Sequence, residues 1–216
     1  MSIHDFRCLT AEGEPFNFGA LRGQVLLIVN VASRCGYTPQ LRELERLYRR
    51  YRERGFTVLG FPCNQFARQS PESALEFCTL SAREYQVSFP LMEKVKVNGP
   101  GTHPLFVELR RGAPGVLGTT AIKWNFTKFL VGRDGRVIRR FAPRDGEAVL
   151  REALELALKL AEEVKPKAPT LRAQCLEILT DASLTADEVA ERLGKSILSI
   201  RPRITELAAR GLIRDT

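Results

Sequence analysis

Apolar positions along the chain follow two patterns. Residues 25–31 (VLLIVNV) and the start of FTVLGFPCNQF (residues 56–66) are nearly continuous apolar runs, which read as strands buried on both faces. Between them, TPQLRELERLYRRYRERG carries its apolar residues at helical spacing and predicts a helix over residues 39–54. Two buried strands around one helix make a right-handed parallel crossover. A further helix is expected in EFCTLSAREY, a third strand in IKWNFTKFLV (residues 122–131), and a fourth after the hairpin signal Asp134-Gly135 within GRDGR. The segment between Val107 and Ile122 reads as a short loop, and residues 146–164 as a closing helix. The fold class is therefore α/β, a sheet flanked by helices.

The pattern changes after residue 164. VKPKAPT is rich in proline and lysine, and residues 165–169 are taken as a linker between a unit at 1–164 and a second at 170–216. The second unit is all helical: TLRAQCLEILTDAS, then LTADEVAERLG, then KSILSIRPRITELAARG. Thr185 with Glu188 forms a capping-box pattern, and Gly194 and Gly211 close two helices. This order resembles a winged helix-turn-helix domain, with the recognition helix over about residues 196–210. Pro202 requires that helix either to start near Ser199 or to kink.

Composition narrows the class of protein. The chain has 216 residues, enough for one good core and something small beside it. Its five cysteines form an odd, scattered set without metal-ligand pairs, so no metal or disulfide framework is expected. The start MSIHDFRC has no apolar leader segment and no apolar run is long enough to span a bilayer, which places the expected site of action in the cytoplasm with no membrane partner. The net charge of +8 is spread over both units and does not by itself imply nucleic acid.

The candidate chemistry lies where strands end. Cys35 follows the first buried strand and precedes a helix, where unsatisfied amides, the helix dipole and neighbouring Arg34 favour a thiolate. Gln65 follows the second strand, and Trp124 and Asn125 open the third. The carboxyl ends of parallel strands are where open α/β sheets bind ligands. A thiol and three uncharged donors suit attack on a hydroperoxide, because the donors can meet the negative charge that develops on the leaving oxygen.

NVASRCGYT, FPCNQF and WNFTKFLV closely resemble signature segments of the glutathione peroxidase family in its cysteine form, and the likeness runs from about Asp5 to Pro143. The resemblance implies a thioredoxin-like sheet, no cofactor, and a catalytic tetrad of Cys35, Gln65, Trp124 and Asn125 acting on hydrogen peroxide and organic hydroperoxides. It also implies a Cys35 sulfenic acid returned to thiol by thioredoxin or glutathione. Cys78 is the resolving cysteine by this resemblance. Counted without gaps, it falls about one helical turn before the family's position, which would be near Ser81. FARQSPES departs from the family's usual FGxQEPG. The short segment before WNF lacks the insertion of tetrameric members and implies a monomer.

Two alternatives stay open for the second unit. As a DNA-binding module it would place Ser196, Ser199, Arg201 and Arg203 in the major groove, with Lys195 and Arg210 on phosphates. As a helical appendage it would dock on protein. A peroxide-sensing DNA-binding regulator, in which Cys35 oxidation is read by this unit, is the alternative to an enzyme.

Overall fold

The computed structural model describes residues 2–115, 118–163, 171, 175–176, 178–179 and 184–209. The linker at 165–169, Arg210 and Gly211 lie outside the described residues. Two compact units divide between Glu163 and Val164.

The first unit is built on a four-stranded sheet of order β4-β3-β5-β6, with β3 at Val25–Val31, β4 at Phe56–Pro62, β5 at Lys128–Val131 and β6 at Val137–Phe141. β3 and β4 pair in parallel from Val25↔Phe56 to Val31↔Pro62, and all residues of both are buried, as continuous apolar runs require. β5 runs antiparallel to β3, with Val29 opposite Lys128, and β6 antiparallel to β5. A separate hairpin, β1 (Arg7–Leu9) with β2 (Pro15–Asn17), lies outside this sheet.

Because side chains alternate along a strand, β3 feeds two cores. Val25, Leu27, Val29 and Val31 pack in one with Leu41, Leu44 and Leu47 of α1 (Gln40–Tyr51) and with Leu150, Leu154 and Leu158 of α4 (Glu147–Glu163). Leu26 and Ile28 pack in the other with Leu59, Phe61 and α3 (Pro104–Gly112). α3 occupies part of the segment expected to be a loop. Pro104 suits its first turn, His103 Nδ1 accepts from the Leu105 N–H at 3.2 Å, and Leu105, Phe106 and Leu109 bury one face. α2 (Ala74–Tyr85) starts on a capping box of Ser73 and Glu76.

In the C-terminal unit, α5 (Ala186–Leu193) and α6 (Ile197–Ala209) are joined through Gly194, Lys195 and Ser196. The Thr185–Glu188 capping box forms as expected, and Gly194 ends α5 in the left-handed conformation at φ 58°. α6 starts earlier than Ser199, so Pro202 sits inside it and the Leu198 carbonyl loses its helical donor. Cys175, Val189, Ala190, Ile200 and Leu207 form the buried cluster. No described helix is long and apolar enough to cross a membrane.

Candidate active site

The chain leaves β3 through Ala32 and turns back on itself before α1. Thr38 makes that turn: its buried hydroxyl oxygen accepts from the Cys35 N–H at 3.0 Å and lies 2.9 Å from the Ala32 carbonyl and 2.7 Å from that of Cys35. Cys35 is thereby held in the turn ahead of the helix, 7 % exposed, and the Tyr37 N–H donates to its sulfur at 3.5 Å. The donor at this sulfur is a turn amide, since α1 itself begins only at Gln40.

Trp124 and Asn125 sit in the turn before β5. Asn30, the one amide in the apolar β3 run, fixes this turn from below. Its Nδ2 donates to the Trp124 carbonyl (3.3 Å), its Oδ1 accepts from the Thr127 N–H (3.2 Å), and its carbonyl accepts from the Phe126 N–H (2.7 Å). Phe126 takes a left-handed φ of 62°, a costly conformation for an aromatic residue that these bonds sustain. Trp124 is 37 % exposed and packs at 5.8 Å against Phe66, whereas Asn125 has no exposed surface.

The expected amide partner is not Gln65. Gln65 lies beyond the end of β4, and its side chain is spent on the 97–98 backbone: Oε1 accepts from the N–H groups of Val97 (2.6 Å) and Asn98 (3.0 Å), and Nε2 donates to the Asn98 carbonyl (2.9 Å). Asn98 in turn clamps the backbone of Ile122 with both ends of its amide, at 2.7 and 2.9 Å. Gln65 therefore braces the approach to Trp124 from outside. The Cys63 thiol donates to Gln65 Oε1 at 3.9 Å.

Gln69 is the amide that meets Asn125, accepting from its Nδ2 at 3.1 Å. The backbone carbonyl of Gln69 accepts from the Arg34 N–H (2.9 Å) and from the Ser33 hydroxyl (3.3 Å), which fastens it to the Cys35 turn. Asn64 folds the intervening loop by accepting from the Ser70 N–H at 3.0 Å, and Ala67 and Arg68 bend it through left-handed φ values of 49° and 51°. Glu72 completes the brace with bonds from Ser33 (2.9 Å) and Ser70 (2.7 Å). The signal for Gln69 was present in FARQSP, where it matches the glutamine of FGxQEP. Asn30 was signalled only by being the polar residue in the apolar run 25–31.

Cys78 lies half-buried on α2, against the same apolar cluster that holds Cys35. Its thiol donates to Glu12 Oε1 at 3.6 Å, and burial together with the Glu12 carboxylate pushes its pKa up. Ser81, one turn along, is fully buried and its hydroxyl has no hydrogen-bond partner among the described residues. In the C-terminal unit, Ser196 caps α6 by accepting from the Leu198 N–H (3.3 Å), and the Ser199 hydroxyl donates back to the Ser196 carbonyl (2.6 Å). Arg201 pairs with Asp187 at 3.9 Å and Arg203 with Glu206 at 3.7 Å.

The glutathione peroxidase family model matches residues 3–110. The chain belongs to the glutathione peroxidase family. It is 49 % identical over 144 residues to glutathione peroxidase-like peroxiredoxin 2 of Saccharomyces cerevisiae, covering 65 % of this chain and 87 % of that protein. It is 50 % identical over 145 residues to the hydroperoxy fatty acid reductase gpx1 of Synechocystis, covering 65 % and 86 %. The crystal structure of T. cruzi GPX1 superposes with a TM-score of 0.62 at 40 % identity, over 74 % of this chain and 97 % of that one. The first unit thus has the thioredoxin-like fold of a glutathione peroxidase, and the chain is a thiol peroxidase.

Proposed function

We propose that Cys35 is the residue the peroxide oxidises and that Gln69, Trp124 and Asn125 are the donors around it, Gln69 taking the place expected for Gln65. The observation that carries this is the Asn125–Gln69 amide pair behind the Cys35 turn. Asn125 is buried, one arm of its amide is spent on Gln69, and the other, Oδ1, has no hydrogen-bond partner among the described residues. An unpaired buried amide atom costs the fold about 1–3 kcal/mol, and a ligand at the site repays it. If the Asn125 and Gln69 amides rotate by half a turn together, Gln69 Nε2 donates to Asn125 Oδ1 and Asn125 Nδ2 is presented to the site, a donor for the leaving oxygen.

The reaction is a two-electron oxidation of sulfur. The Cys35 thiolate attacks the terminal oxygen of ROOH, the S–O bond forms as the O–O bond breaks, and the released RO⁻ takes a proton to become an alcohol, or water when R is hydrogen. A second thiol displaces the sulfenic hydroxyl as water and leaves a disulfide, which a further thiol reduces. Cys78 is our candidate for that second thiol, with thioredoxin or glutathione as the external reductant. Organic hydroperoxides fit beside hydrogen peroxide, since Tyr37, Trp124, Ala142, Pro143 and Arg144 line a pocket of about 380 Å³. The relative named hydroperoxy fatty acid reductase supports the same class. The scattered cysteines favour the cytoplasm, and the short segment before WNF favours a monomer.

A sulfenic-acid-specific label applied during turnover, followed by peptide mapping, tests the assignment. It should land on Cys35, with a Cys35–Cys78 disulfide appearing when the label is withheld. Labelling of Cys63 or Cys78 with Cys35 untouched overturns it, and Cys35 found bonded only to glutathione removes Cys78 from the cycle.

For the C-terminal unit we infer a helix-turn-helix, on the support of capped α5, the Gly194 turn and the exposed start of α6, where Leu198 is 82 % exposed. Ser196, Ser199, Arg201 and Arg203 would face a DNA groove, and phosphates would have to displace Asp187 and Glu206 from the two arginines. Duplex binding by the full-length chain at low salt, lost as salt rises and weakened by Arg201→Ala with Arg203→Ala, is the expected result. Binding that switches with Cys35 oxidation would make the chain a regulator as well. No shift of duplex in either redox state leaves a helical appendage.

A further inference from the structure

Lys128 has no exposed surface and stands in β5 just after the Trp124-Asn125 turn. Its ammonium Nζ donates to Gln40 Oε1 at 2.7 Å and to the carbonyls of Pro143 (2.9 Å), Asp145 (2.9 Å) and Ala142 (3.4 Å). Gln40 opens α1 and closes the circuit by donating from Nε2 to the Pro143 carbonyl at 2.8 Å. One buried cation therefore joins the three segments that border the pocket: the Cys35 turn and α1, the Trp124 turn and β5, and residues 142–145. The last of these is a strap. Ala142, Pro143 and Arg144 form the pocket wall facing Tyr37 and Trp124, and the strap's described internal hydrogen bonds both join Ala142 to Asp145: the Ala142 N–H donates to the Asp145 carboxylate at 2.8 Å and the Asp145 N–H to the Ala142 carbonyl at 3.1 Å.

We propose that Lys128 is a positioning residue for peroxide reduction, its ammonium group holding the 142–145 strap as the outer wall of the pocket beside Trp124. A buried lysine costs the fold desolvation that an apolar residue in a strand core avoids. Burial indeed pulls its pKa down to about 8 against the opposing influence of Asp145 on the strap and Glu43 on α1. An apolar side chain of the same length would fill the space in the sheet but would leave the Asp145 carbonyl without its described donor and the Pro143 carbonyl with Gln40 alone. Hydrogen peroxide is far smaller than this pocket, whereas the organic group of a larger hydroperoxide lying beside Trp124 would rest against the strap. The strap thus bears on the fit of bulky substrates more than on the chemistry at sulfur.

This rests on Cys35 as the oxidised residue, so the experiment carries its own control. Oxidation of the reduced full-length chain is followed by stopped flow with hydrogen peroxide and with cumene hydroperoxide, for the parent, Lys128→Met, Lys128→Arg and Gln40→Ala. Cys35→Ser must be silent with both; if it reacts like the parent, the site assignment fails and not the strap. Misplacement of a substrate by about 1 Å can cost 10²-fold, so a loosened wall should slow cumene hydroperoxide by at least about tenfold in Lys128→Met, with hydrogen peroxide changed by less than about threefold. Lys128→Arg, which keeps a cation and donors, should recover part of the loss. Gln40→Ala, at a half-buried position, should show the same selectivity in weaker form and serves if Lys128→Met does not fold. Equal losses for both peroxides in a folded variant, or no loss for either, overturn the proposal.

Discussion

The peroxidase unit keeps Asn30, Thr38, Asn125 and Lys128 out of water and gives each at least one polar partner, whereas the buried cluster of the C-terminal unit is Cys175, Val189, Ala190, Ile200 and Leu207, apolar throughout. In the first unit polar side chains are used inside to fix turns that carry chemistry. In the second they are used at helix ends, as with Thr185, Glu188 and Ser196, and on the surface as exposed ion pairs. The contrast separates two sources of order. An apolar cluster tolerates repacking, while a buried hydrogen-bond network permits essentially one arrangement and loses it when a single member is removed.

The sharpest break of that contrast is Cys35→Ser. We expect peroxide reduction to fall to background while the thermal midpoint stays close to the parent, because the exchange is nearly isosteric and the turn is held by Thr38. Peroxide consumption and a melt by circular dichroism check the two halves. Next is the pair Gln69→Ala and Gln65→Ala. Removing one donor from the site should cost on the order of 10²-fold in the rate of Cys35 oxidation. Gln65→Ala should instead cost stability, about 1–3 kcal/mol for N–H groups left without their acceptor, with a much smaller change in rate. Rapid oxidation kinetics beside urea unfolding separates them, and the reverse outcome would return Gln65 to the site.

Lys128 sharpens the comparison through pH. Its folded pKa of about 8 lies below the ordinary 10.5, so at pH values between the two the unfolded chain binds more protons at this residue than the folded one. Stability should therefore rise with pH across about 8 to 10.5, by at most about 1.4 kcal/mol per unit from this group. Below pH 8 both states are protonated and the cost of burying the charge is paid in full. Unfolding curves of the parent and of Lys128→Met across that range should differ in slope in this sense. Smallest is Thr185→Ala in the C-terminal unit, which removes a helix cap and should cost about 1 kcal/mol there. The rate of Cys35 oxidation should not move, and a change would mean that the two units are coupled.

Apolar pattern was enough to place β3, β4 and α1, because a strand buried on both faces and an amphipathic helix declare themselves by period. α3 was hidden since a single turn of buried Leu105, Phe106 and Leu109 in PLFVELRRG is too short to set up a period. Three residues of the proposed site, Cys35, Trp124 and Asn125, were singled out by their place at strand ends. Gln69 had a signal in FARQSP, but two glutamines follow β4 and the fold shows which of them is claimed by the backbone. Gln65 is spent on Val97 and Asn98, and the left-handed bend at Ala67 and Arg68 carries Gln69 back to the Cys35 turn. Nor does anything in WNFTKFLV reveal that its lysine points inward to the strap.

Ser81 bears on how the thiol of α2 could wander during evolution. Its hydroxyl is buried and unsatisfied, so a thiol there, less demanding of hydrogen bonds, would be tolerated or even favoured. Cys78, one turn away, leans on Glu12 at the half-exposed edge of the same helix. A lineage could therefore carry both cysteines for a time and lose either one, sliding the thiol by ~5 Å along the helix without passing through an unstable ancestor.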